Sequence, residues 1–235
     1  MNGAIKWPDY GEIDILEGVN DYETNAVTLH TSAGCMVDNG TSAATDFTSS
    51  STAFTGFMKT DDCDVAAPNQ GTNVGCSIAS PSSYPFDPVT GGTSSQTSIF
   101  PSYGTEFNAA QGGVYAMEWT STSISVWFFP RTSPAFNTLF PAPASSTFVN
   151  TTLDTSTFGT PVAHFAGACD FNEKFKNLKV LFDTTFCGQW AGQEWESGGC
   201  QKKTGVQTCE QYVRENPMAF ADAYWEIAGL KWFQQ

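Results

Sequence analysis

Gly11-Glu12-Ile13-Asp14-Ile15-Leu16-Glu17-Gly18 sets three carboxylates inside an apolar run with glycine at both ends. The aliphatic residues read as a buried strand. Such a strand has no structural use for three acids, because burying an unpaired charge is costly. Acids this close repel one another, which raises the pKa of at least one. A glycosidase needs that pairing: one carboxylate ionised, one carboxyl still protonated. Spacing adds a second expectation. Side chains alternate faces along a strand, so Glu12 and Asp14 share a face and Glu17 falls on the other. One extra residue between Asp14 and Glu17 brings all three together, and a β-bulge supplies it. The competing reading is an exposed edge strand whose scattered acids block pairing. Ile13, Ile15 and Leu16 between the acids fit that poorly.

The longer run Trp7-Pro8-Asp9-Tyr10-Gly11-Glu12-Ile13-Asp14-Ile15-Leu16-Glu17-Gly18-Val19-Asn20 resembles the signature of glycoside hydrolase family 16. More narrowly, it resembles the fungal endo-β-1,3(4)-glucanases and laminarinases, which carry the longer, bulged form of the motif. The resemblance implies Glu12 as nucleophile, Glu17 as acid/base and Asp14 as the supporting carboxylate between them. It also implies that Trp7 stacks on sugar, and that Trp190, in Cys187-Gly188-Gln189-Trp190, lies at the cleft, with Trp195 a weaker candidate. His30, in Leu29-His30-Thr31, is similar to a family histidine beside the acids, free to hold Glu17 or a sugar hydroxyl.

Composition narrows the partners. Net charge is −14 with 14% charged residues, which disfavours nucleic acid and anionic membranes and leaves neutral polysaccharide acceptable. The chain is expected to act as a monomer. Seven cysteines without a C-x-x-C pair, and only two histidines, make zinc improbable and point to disulfides in a secreted protein. Their pairing stays open, and the odd one implies a partner outside the chain. Asn39-Gly40-Thr41 and Asn150-Thr151-Thr152 are glycosylation sequons. Neither a signal peptide nor a bilayer-spanning apolar stretch is visible. Against the family pattern, Met1 corresponds to an internal methionine, so residues 1–235 read as a single catalytic domain lacking its N-terminal part.

Along the chain, Asn25–Ser32 reads as a strand with Val27 and Leu29 facing the core and His30 facing away. Residues 33–110 are polar, with Cys35, Cys63 and Cys76 pinning short strands, and Ser80–Gly104 reads as an insertion. Gly113–Thr120 and Ser123–Phe129 form a hairpin with Tyr115, Met117 and Trp119 on one face. Glu118 and His164 are read as structural. Asp170 to Glu173 has capping-box spacing. Asn177–Phe186 reads as a strand, Cys187–Trp190 as a turn, Thr208–Asn216 as a helix stopped by Pro217, and Ala223–Phe233 as the last strand.

Strands separated by polar turns, without a βαβ rhythm, predict an all-β, two-sheet antiparallel sandwich. The resemblance narrows this to a concanavalin-like jelly roll with a concave substrate groove. It implies retaining, endo-acting hydrolysis of β-1,3 or mixed β-1,3/1,4 glucan, with no metal or organic cofactor. Two rivals stand beside it: a non-catalytic β-glucan-binding protein on the same scaffold, and transglycosylation.

Overall fold

The computed structural model describes residues 6–38, 53–82, 100–133, 136 and 153–233. Both sequons and most of the Ser80–Gly104 segment lie outside them. The chain divides into two compact units, residues 1–18 with 23–178, and residues 19–22 with 179–235.

The first unit is built from β1 (Glu12–Glu17), β2 (Ala26–His30), β3 (Cys35–Val37), β4 (Phe57–Thr60), β5 (Cys76–Ala79), β6 (Gly113–Trp119), β7 (Ser123–Pro130) and β8 (Ala163–Cys169). Among the described residues these pair into two four-stranded antiparallel sheets, ordered β1-β2-β5-β4 and β3-β8-β7-β6. The inner faces follow from alternation: Val27, Leu29 and Ile78 of one sheet share a buried cluster with Ile124, Val126, Phe128 and Phe165 of the other. Interdigitation of two apolar faces is what holds such a sandwich together. Thr28 and His30 therefore face the opposite side of the first sheet. The expected hairpin is β6–β7, with Tyr115, Met117 and Trp119 packed against the core. Cys35–Cys169 ties the register partners of β3 and β8, and Cys63–Cys76 closes the loop before β5. Asp170 caps the short helix Phe171–Lys174 by accepting from the Glu173 amide at 3.0 Å.

The bulge lies where the spacing required it. Asp14 pairs with Thr28 and Glu17 with Ala26, so Ile15 and Leu16 together oppose one residue of β2. An extra residue interrupts the ladder and leaves a backbone group without its strand partner. The Asn25 side chain, buried to 2% exposure, meets that need by donating to the Ile15 carbonyl at 3.3 Å. Its carbonyl oxygen in turn accepts from Ser80 Oγ and Tyr115 Oη, both at 3.0 Å. The flanking glycines have steric reasons of their own. Gly11 adopts φ +69°, and a Cβ there would sit 2.6 Å from the Lys174 carbonyl oxygen; a Cβ on Gly18 would sit 2.7 Å from the Tyr103 ring.

The second unit corrects three expectations. Residues 177–186 and 223–233 form no strand, because neither has a hydrogen-bonded neighbour strand among the described residues. Leu181 is 80% exposed and Trp232 71%. Alternating apolar residues give a face that wants cover, but a strand needs a ladder partner. Residues 188–197 form a helix rather than a turn, since Gln189, Ala191, Gln193, Glu194 and Glu196 are good helix formers. The helix Cys209–Glu215 matches expectation, with the Thr208 hydroxyl accepting from the Gln211 amide at 3.2 Å and Pro217 just beyond. Cys187–Cys209 is the third disulfide, and Cys200 is free.

Asn25→Ala removes the Ile15 carbonyl's donor and strips an acceptor from the buried Ser80 hydroxyl and from Tyr115, whose hydroxyl keeps the Ser102 carbonyl. It should lower unfolding free energy by about 2–4 kcal/mol, read as a lower denaturant midpoint at unchanged slope. An unchanged midpoint would show that the bulge does not depend on this side chain.

Candidate active site

The register shift decides the site. Glu12, Asp14 and Glu17 pair with His30, Thr28 and Ala26, and those three partners share one face of β2. The bulge therefore turns all three carboxyl groups to the face away from the core, as spacing alone predicted.

Around them the structure places two further predicted residues. Trp7 Nε1 donates to Glu12 Oε2 at 2.7 Å, fixing that carboxyl's orientation. Its ring remains 53% exposed, so it keeps a free surface beside the acid. The Trp7 and His30 rings lie 6.1 Å apart at 47°. His30, opposite Glu12, reaches diagonally so that Nε2 lies 3.2 Å from Asp14 Oδ2. This corrects one expected pairing: the imidazole holds Asp14 rather than Glu17. A side chain at a diagonal position on an antiparallel pair is within reach of a long or aromatic neighbour.

The electrostatics set one acid apart. Burial pushes Glu17 up to about 7, with the Asp14 charge adding to the rise, His30 opposing it and Glu12 contributing last. Burial pulls His30 down, but its hydrogen bond to Asp14 and the charges of Asp14, Glu12 and Glu17 outweigh this and leave it raised. The buried His30 Nδ1 has no hydrogen-bond partner among the described residues. A face with one carboxyl kept protonated to near neutrality, next to a second held by an indole N–H, offers an acid and a nucleophile side by side.

The remaining predicted residues belong to the second unit. Trp190 lies on the helix Gly188–Ser197, is 40% exposed, and meets Tyr22 edge-on at 6.4 Å. Trp195 is buried, its indole N–H donating to the Val206 carbonyl at 2.9 Å, so it offers no stacking face. Asn25 is the participant that sequence reasoning missed. Its signal was available: an amide-bearing residue directly before an apolar strand, opposite a predicted bulge.

Comparison with known proteins gives the family. A family model described as the XgeA-like catalytic GH16 domain matches residues 1–233. A probable endo-1,3(4)-β-glucanase of Neosartorya fischeri is 42% identical over 231 residues, which is 97% of this chain and 29% of that protein. The endo-1,3(4)-β-glucanase xgeA of Emericella nidulans is 38% identical over 231 residues, 97% of this chain and 30% of that one. The chain thus spans under a third of these relatives. Laminarinase 16A of Phanerochaete chrysosporium, solved with β-glucans in both donor and acceptor sites, superposes with a TM-score of 0.65 at 36% identity, over 94% of this chain and 61% of that one. An elongating GH family 16 β-1,3-glucosyltransferase superposes with a TM-score of 0.55 at 35% identity, over 82% and 50%. The two packed antiparallel sheets are those of the laminarinase jelly roll. The chain belongs to glycoside hydrolase family 16, with the XgeA-like catalytic domains.

Proposed function

We propose that this chain carries the catalytic domain of an extracellular endo-β-1,3(4)-glucanase that hydrolyses internal glucan linkages with retained configuration. One observation supports this above the others: the bulge gathers Glu12, Asp14 and Glu17 on one face, with Glu17 held up to about 7. The family match runs through residues of both compact units, which supports reading them as one catalytic domain. Three disulfides support an extracellular location. Among the described residues no helix is long and apolar enough to cross a membrane.

In the first step a Glu12 oxygen bonds to the anomeric carbon while the glycosidic oxygen departs with the Glu17 proton. Glu17, now ionised, takes a proton from water in the second step. The water oxygen bonds to the anomeric carbon as the Glu12 ester breaks, and inversion twice over restores the β configuration. Trp7 aims Glu12 and offers its exposed ring to a sugar. Asp14, fixed by His30, keeps a charge beside Glu17 that favours the protonated acid. Trp190 is a further sugar-stacking candidate through its exposed ring.

A second reading, transglycosylation, gains support from the glucosyltransferase neighbour. It shares the first step and differs in the acceptor, a sugar hydroxyl replacing water. Products from laminarin separate the two: short oligosaccharides for hydrolysis, lengthened or rearranged ones for transfer.

Glu12→Gln should lower turnover of laminarin on the order of 10³-fold or more while leaving thermal stability near that of the parent. Near-parental activity would remove Glu12 from the nucleophile's role.

The acid must be protonated, so kcat/KM should fall as pH rises through the Glu17 value, about 7. Asp14 raises that value, so Asp14→Asn should move the alkaline limb to lower pH, by about one unit or less. A limb that stays in place or moves upward would contradict the assigned role of Asp14.

A further inference from the structure

We propose that the outer face of the β3-β8-β7-β6 sheet carries a second saccharide-binding site, a groove that takes one neutral glycosyl unit of a polysaccharide. Its ligand class rests on the glucan reading; its existence rests on the side chains that follow.

Strand register lines up a polar row. Glu118 of β6 pairs with Ser125 of β7, and Ser125 pairs with His164 of β8. The next residue on each strand, Trp119, Ile124 and Phe165, faces the inter-sheet core. Glu118, Ser125 and His164 therefore face outward. The catalytic acids lie on the outward face of the other sheet, so the row and the acids occupy opposite sides of the sandwich.

The row is roofed along one side by the turn Thr155–Phe158. Thr155 Oγ1 donates to Glu118 Oε1 at 2.5 Å, Trp127 Nε1 donates to the Gly159 carbonyl at 2.9 Å, and Phe158 packs on Trp127 and Phe129. Between turn and sheet lies a groove of about 410 Å³, lined by Pro161 and the largely buried Trp127 together with Glu118, Ser125, Thr155 and His164. Ligand pockets for small molecules begin at about 300 Å³ and combine an apolar surface with a few convergent polar groups.

The polar wall is only half used. Ser125 Oγ and His164 Nδ1 lie 2.8 Å apart, and Nε2 has no further partner among the described residues. Thr155 occupies Glu118 Oε1, and Oε2 has no partner among the described residues. Burial lowers His164, with the Glu118 charge opposing it. Whichever tautomer the Ser125 contact selects, Nε2 is left to donate to or accept from a hydroxyl beside the Glu118 carboxylate. Two neighbouring hydrogen-bonding groups fit the vicinal hydroxyls of a pyranose, and Pro161 offers a contact for its apolar face. Other chemistries fit less well. Glu118 bonds Thr155 rather than His164, so Ser125 is not set up as a nucleophile. Glu118 and His164 alone fall short of a metal's ligand count, and no group of three such residues gathers among the described residues. A carboxylate in the wall disfavours anions.

A site on the far side of the sandwich from the acids would tether the enzyme to a glucan strand while a neighbouring strand is cut, which raises the effective substrate concentration.

The chain has two histidines, so imidazole NMR reads the two faces separately: His30 beside the acids, His164 in the groove. The experiment titrates laminaritriose at constant pH into the Glu12→Gln chain, where turnover is suppressed. Saturable shifts at His164 are expected in the millimolar range. Adding Glu118→Gln should weaken the His164 response about tenfold. Ser156→Trp on the exposed rim should abolish it without touching the polar row. Both variants should keep the His30 response, which also certifies the fold. Shifts at His30 with His164 unmoved would overturn the groove alone. Shifts at His164 alone would uphold the groove and overturn the proposed function. No shift at either would overturn both.

Discussion

Two residues of β1 face one residue of β2 between Asp14 and Glu17, and the site depends on that mismatch. A regular ladder would send Glu17 to the core side, where a buried carboxylate costs several kcal/mol at least. The bulge avoids that cost but leaves the Ile15 carbonyl without its ladder partner. Asn25 supplies the missing donor and is anchored by Ser80 and Tyr115. The arrangement of the three carboxyls is thus fixed from beneath by a buried polar group that touches none of them. Such a network rigidifies a site only when every member is satisfied, and here the bulge carbonyl is.

Above the sheet, the acids are held by two contacts of different kinds. An indole N–H orients Glu12, and an imidazole orients Asp14. Asp14 has no reach to the sugar chemistry in the proposed steps, yet its charge is the second largest cause of the Glu17 rise after burial. The proposed division of the pair into one acid and one nucleophile rests on placing one carboxyl more deeply and beside another charge.

Much of this was legible in the chain itself, because the decisive information is local. Alternation gave the faces of β2 and β6, and the count between Asp14 and Glu17 required the bulge. Partner choice was not legible. Whether His30 would hold Asp14 or Glu17 depends on a diagonal contact, which alternation does not distinguish. Glu118, Ser125 and His164 look unremarkable apart, since only the cross-strand register makes them a row. The apolar runs at 177–186 and 223–233 misled for a related reason. Alternation measures what a segment would bury, and a strand forms only where a neighbour completes the ladder. The helix at Gly188–Ser197 was hidden behind a family turn motif, though its own residues favour helix.

The central claim is that the bulge places Glu17 where burial and Asp14 hold its proton to near neutrality. Carbon NMR of the chain labelled at its glutamate carboxyls, titrated from acid to mildly alkaline pH, tests it most directly, with Glu17→Gln for assignment. The account predicts one glutamate carboxyl titrating at about 7, whose signal is missing from the Glu17→Gln spectrum. Glutamates that all titrate in the ordinary carboxylate range would contradict it.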